Sequence, residues 1–304
     1  MNPFVVKGII RMIRRRLRIF LLLCALGSLG ASHRTAHFVV EAPDEEVARK
    51  VGEKAERCRK QLALKWLVAE LPDGEEPCLV EVVLTAKSCR GGTTTAFRNG
   101  EILWIRMRME GPLDDLLRNV VPHEVTHVVF ASILRAPVPR WADEGGAILS
   151  EDPKTQHYYD GLMGKLLDSP DRYKSLRGLF RTGQYSQDHQ ILYAEGYSIS
   201  RFLVASRGRT KFVAFVAAGM RGDWDGACKH YYGYESVEEM ERAWLRSEKV
   251  RRKFEQMIDR ALSAIAELGR AAKAFLNANL IPSRRDVRST PSLAGPVRNR
   301  HSPR

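Results

Sequence analysis

The chain has 304 residues, 44% hydrophobic and 28% charged, with five cysteines and a mean hydropathy of -0.30; this allows a sizeable core and excludes a disulfide-stapled miniprotein or a polytopic membrane protein. Its formal charge of +13 suggests a nucleic-acid partner until the charge is located. Residues 1–30 hold six cations and no acid, and residues 281–304 hold six arginines and one aspartate, so 31–280 carries only +2 and the nucleic-acid reading loses its support.

Taken in chain order, the basic cluster Arg14 to Arg18 runs into an apolar stretch from Ile19 and then into small residues ending at Ala31. That is the order of a secretory signal. Residues 1–30 therefore read as a signal peptide or, left uncleaved, an N-terminal membrane anchor, and the protein reads as exported to the periplasm, cell envelope or extracellular space. Cleavage is expected to leave a mature chain beginning between Gly27 and Ser32. Cys58, Cys78, Cys89 and Cys228 would then remain, open either to three disulfide pairings or to buried free thiols, and the absence of a Cys-x-x-Cys pair gives a thiolate zinc site no support.

His37 to Val40 reads as a short strand and Asp44 to Trp66 as a charged amphipathic helix. Leu79 to Leu84 is a β-branched run, Gly91 to Thr95 reads as a flexible turn at a cleft rim, and Asn99-Gly100 ahead of Ile102 to Met107 is a hairpin signal. After Pro112 the apolar period becomes helical: Leu113 to Leu134, Trp141 to Glu151, His189 to Ser206, Thr210 to Met220 and Ser236 to Glu248. The fold class is α+β, a small mixed N-terminal sheet with helices followed by a mostly helical second half. Residues 249–280, with Phe254, Ile258, Leu262, Ile265 and Leu268 at helical spacing, read as an amphipathic helix packed on the body or on a partner. The Pro-, Ser- and Arg-rich residues 281–304 read as a disordered basic tail.

His123-Glu-Val-Thr-His127 stands inside the first long helical pattern. An i, i+4 spacing puts both imidazoles on one face, one turn apart, where two nitrogens can reach a single ion, with Glu124 beside them for proton transfer. A hydrolytic zinc needs a third protein ligand and one open position. Pro139-Arg-Trp-Ala-Asp-Glu-Gly-Gly-Ala147 opens a second helix with Glu144 one turn in, and Gly145, Gly146 and Ala147 would let it lie close against the first. Glu144 is the candidate third ligand. Pro122 should kink the first helix or mark its effective start.

His-Glu-x-x-His followed by Trp-x-x-Glu-Gly on a second helix resembles the gluzincin metallopeptidases, most closely the peptidase MA-like domain related to the zinc aminopeptidases. The resemblance covers roughly 37–248 and implies a thermolysin-like zincin fold over a catalytic domain of 31–248, one zinc ion held by His123, His127 and Glu144, and a peptide or protein substrate. Tyr193-Ala-Glu-Gly196 is similar to the Tyr-x-x-Gly opening of a later helix in these families, which gives Tyr193 the role of oxyanion donor. No counterpart of the Gly-x-Met-Glu-Asn segment precedes the motif, so the implied activity is that of a peptidase of unspecified cleavage mode. A catalytically silent envelope-binding module of the same fold is the rival, opposed by the intact Glu124.

The remaining candidates read as structural. Glu151, seven residues after Glu144, can be either a partner for a zinc-bound histidine or, as favoured by its place at a helix end, a solvated acid. Asp143 reads as pointing away from the metal face, a capping or exposed residue. His157 and His189 are isolated and are not assigned as ligands, and Tyr197 reads as a core residue.

Overall fold

The computed structural model describes residues 30–72, 76–87, 89–169, 174–182 and 189–280. The signal or anchor segment, apart from Gly30, and the basic tail lie outside the described residues. Contacts divide the chain between Glu248 and Lys249.

The first unit is an α+β body. Among the described residues its strands are β1 (Ala31–Arg34), β2 (Phe38–Ala42), β3 (Cys78–Leu84), β4 (Arg90–Arg98) and β5 (Glu101–Gly111), in the sheet order β1-β2-β3-β5-β4. β2, β3 and β5 run parallel, while β1 and β4 are antiparallel edge strands. β1 pairs Ala31 with Ala42.

Alternation along the strands sends Phe38, Val40, Val80, Val82, Met107 and Met109 to one face, where all are buried. Helix α1 (Glu45–Leu67) covers that face with Val47, Val51, Ala55, Cys58 and Leu62, a helical stripe. Asp44 caps α1 by accepting from the Val47 amide at 2.8 Å, and Val68 ends it in the left-handed region. The β4–β5 hairpin turns on Asn99 and Gly100, both with positive φ (53° and 79°), the combination a two-residue turn between twisted strands needs. Gly91 to Thr95, expected as a flexible turn, is the edge strand β4 itself. Neither of its faces is an apolar core face, so it carries no strand-like alternation.

The chain leaves β5 through a single turn, Leu113–Asp115, and a π-helical turn, Leu116–Val120, before α2 (Val121–Leu134). The expected helix Leu113 to Leu134 is thus interrupted. In a continuous α-helix the Pro122 ring would press on the carbonyl of residue 118; the wider turn ends just before it, and Pro122 occupies the first turn of α2, where its missing N–H costs nothing. Then follow α3 (Arg140–Ile148), α4 (Pro153–Leu167), α5 (Leu176–Arg181), α6 (His189–Arg207), α7 (Arg209–Gly219), α8 (Trp224–Tyr232) and α9 (Val237–Leu280). The sequence patterns of Ser236 to Glu248 and Val250 to Leu280 form this one helix.

Trp66, Phe130 and Phe212 meet where α1, α2 and α7 pack, and Trp141 stacks on Phe180 with ring centroids 4.6 Å apart. α2 packs on α1 and α3, and α3 packs on α6. Cys58, Cys78, Cys89 and Cys228 are all free, which decides between the two readings of these residues in favour of thiols. No helix among the described residues is long and apolar enough to cross a membrane.

Candidate metal centre

α2 carries His123 and His127 one turn apart, with their ring centroids 4.9 Å from each other. α3 crosses close by because it has no side chain at two contacts. A Cβ at residue 146 would come 2.3 Å from the Phe130 ring of α2, and one at residue 145 would come 2.2 Å from the Gly196 carbonyl of α6. Of the two glycines, Gly146 thus has the expected role of closing α3 onto the histidine helix. Gly145 seats α3 on the helix that carries Tyr193.

This crossing places Glu144 Oε2 3.3 Å from His123 Nε2 and 3.8 Å from His127 Nε2. Tetrahedral ligands at about 2.1 Å from a zinc ion stand roughly 3.4 Å apart, so the three atoms fit one ion. One ligand atom from each residue falls within 4.8 Å of the others. A His-His-Glu set with room for water is the donor chemistry of a hydrolytic zinc site.

The far side of each imidazole is fixed. His123 Nδ1 donates to Glu151 Oε1 and His127 Nδ1 donates to Asp143 Oδ1, both at 2.7 Å. Each bond commits its ring to the tautomer whose Nε2 lone pair faces the shared point. Glu151 is therefore not a solvated helix-end acid, since α3 stops at Ile148 and the following bend turns the carboxylate back onto α2. Asp143 is neither a cap nor exposed. It lies off the Glu144 face, as expected, but the outer edge of the His127 ring is on that side.

The electrostatics favour a cation. Burial works against charge on His123, yet its bonds to Glu144 and Glu151 outweigh this and hold the imidazole well above its usual pKa. Burial likewise opposes a charged His127, and Asp143 and Glu144 prevail. Burial would raise the Glu144 carboxyl, but the two histidines pull it down to about 2. Arg140 Nη2 donates to Glu144 Oε1 at 2.7 Å, leaving Oε2 toward the histidines.

Glu124, 3% exposed, faces β4, where Thr93 Oγ1 donates to its Oε2 at 2.7 Å. A cleft of about 530 Å³ opens over these groups, walled by Gly91 to Thr95 on one side and by Arg140 and Tyr193 on the other. Tyr193 is half-buried and its hydroxyl bonds Glu144; burial first, and the Glu144 charge second, push its pKa up. Tyr197 is 2% exposed, packs under the Arg201 guanidinium and does not line this cleft.

The structure thus brings His123, Glu124, His127, Glu144 and Tyr193 to one cleft. Sequence reasoning gave Arg140 no role and placed Thr93 at a cleft rim without a partner. A metal-bound histidine needs an acceptor for its second nitrogen, and that requirement was the available signal for Asp143 and Glu151. No protein-family model matches the chain, and no curated protein or solved structure matches it significantly.

Proposed function

We propose that the chain is an exported zinc-dependent hydrolase of thermolysin-like fold that cleaves amide bonds in peptide or protein substrates. The observation that carries this reading is the convergence of His123 Nε2, His127 Nε2 and Glu144 Oε2, with each imidazole fixed from behind by an acid and Glu124 alongside. Export rests on the N-terminal sequence pattern.

His123, His127 and Glu144 would hold the ion. Bound there, zinc would supply Lewis acidity, lowering the pKa of water toward about 7 and polarising a carbonyl. Glu124 accepts the water proton and passes it to the leaving amine, and Thr93 keeps its carboxylate aimed during both transfers. Tyr193 donates its hydroxyl to the oxygen that gains charge as the carbonyl carbon becomes tetrahedral. Arg140 holds the outer oxygen of Glu144, so that the inner one serves the ion. The floor of the cleft is buried, which strengthens each of these interactions.

The test is to measure the metal content of purified protein together with hydrolysis of a mixed peptide library, with and without chelator. Bound zinc and chelator-sensitive cleavage are expected. Zinc-free protein that cleaves equally well in chelator would end the proposal.

A further inference from the structure

The second unit begins at Lys249, and the part of α9 within it exposes apolar side chains that a helix of a globular body would bury. Phe254, Met257, Leu262, Ile265, Leu268 and Phe275 each leave between 57% and 70% of their surface exposed. At the α-helical turn per residue these six fall within an arc of about 140°. That is wider than the two-position seam of a coiled coil.

Charge indicates what the arc meets. Residues 249–280 hold seven Lys and Arg against three Asp and Glu, and residues 281–304 add six arginines against one aspartate. Residues 31–248, by contrast, carry two more acids than cations. Lys249, Lys253 and Arg260 gather along one border of the arc and Lys273 stands at the other, where long stems can lie over apolar surface while their charges reach outward. A second copy is a poor occupant. It would bring two helices of like charge together, and around a seam of Phe254, Ile258, Ile265, Leu268 and Phe275 the flanking positions include Glu255, Met257, Leu262, Ala264 and Gly269, one charge with no complement among them.

We propose that the helix from Lys249 to Leu280 lies on an anionic phospholipid surface, with its apolar arc at the acyl boundary and its cations among the phosphates. The helix lies on the bilayer and does not cross it, as its charge content requires.

The test uses the full chain and vesicles of phosphatidylglycerol and phosphatidylcholine in equal parts, with phosphatidylcholine alone for comparison. Ile265→Glu combined with Leu268→Glu should lower partitioning to anionic vesicles by about tenfold or more, because both side chains point into the arc. Lys253→Gln, Arg260→Gln and Lys273→Gln together should remove the preference for anionic vesicles and its salt sensitivity. Because residues 1–30 could anchor the chain by themselves, Leu268→Trp supplies a local readout. Its added emission should be quenched by lipids brominated on their acyl chains. Absence of quenching overturns the proposal, as does a dimer that the Ile265/Leu268 variant dissociates without any change at vesicles.

Discussion

Gly91 and Glu124 approach so closely that a Cβ on residue 91 would lie 2.2 Å from Glu124 Oε1. The strand that walls the cleft therefore touches the proposed proton acceptor through bare backbone. Gly91→Ala should push the carboxylate off its Thr93 bond and lower kcat at least tenfold, since small misplacements of a catalytic group are costly, while zinc stays bound. Gly92→Ala is the control, because nothing lies within 4 Å of a Cβ there. Equal turnover in the two variants would remove the contact from the mechanism.

The ligand set makes a prediction separable from activity. His123→Ala and His127→Ala leave only two protein ligands and should purify without zinc, whereas Glu124→Gln should keep it and lose nearly all hydrolysis. Elemental analysis beside a turnover assay reads both effects. Full zinc occupancy in either histidine variant would remove that residue from the centre.

The acids behind the histidines should act on affinity. Asp143→Asn and Glu151→Gln keep size and remove charge, and loss of such an acceptor typically weakens metal binding by about 10- to 100-fold. Competition with a zinc chelator measures the shift, and circular dichroism verifies that the helices persist. An unchanged affinity would reduce the two 2.7 Å bonds to packing contacts.

Tyr193 and Tyr197 lie one turn apart on α6 and make a matched pair, one lining the cleft and one buried in the body. Tyr193→Phe should lower kcat by about tenfold or more with zinc content and Tm nearly unchanged, because a donor to a developing oxyanion contributes to rate and not to fold. Tyr197→Phe should leave kcat alone. The reverse result would move the donor role to Tyr197.

Glu195 gives a pH-dependent prediction for stability. It is fully buried and accepts from the Lys174 amide at 2.8 Å, and desolvation raises its pKa to about 7 despite that bond. A carboxyl with a raised folded-state pKa costs nothing while protonated in both states. The penalty accumulates as pH rises from its ordinary value near 4.5 to about 7, and is constant above that. Glu195→Gln should raise stability at pH 8 by on the order of 3 kcal/mol and change it little at pH 4. Thermal unfolding at the two pH values decides it, and a gain of equal size at both would point to packing.

The α+β order, the hairpin at Asn99-Gly100 and the shared face of His123 and His127 were legible because each rests on spacing within one element or on the geometry of a turn, and Glu144 was found through the motif that opens its own helix. The acceptors were not. Whether Asp143 reaches His127 depends on the angle at which α3 crosses α2, and that angle is set by Gly146 against Phe130, a contact between distant parts of the chain. α4 passed unseen because only Met163, Gly164 and Leu166 among its residues are buried, too few to impose a period. Thr93 was hidden by its strand, which turns toward the cleft and not toward a core.

The π-helical turn Leu116–Val120 sets a rotational phase. Each residue added to or taken from a helix rotates everything beyond it by about 100°, so the one extra residue held in that wider turn decides the direction in which His123 and His127 face once Leu116 is anchored in the core. Wound as a regular α-helix, the same sequence would still be able to form α2, but the helix would either present Pro122 and Thr126 in place of the two histidines or pull Leu116 out of its socket. The centre is thus timed by a short irregular stretch outside it, and two histidines with flawless spacing would have no common ion to meet if that stretch were regular.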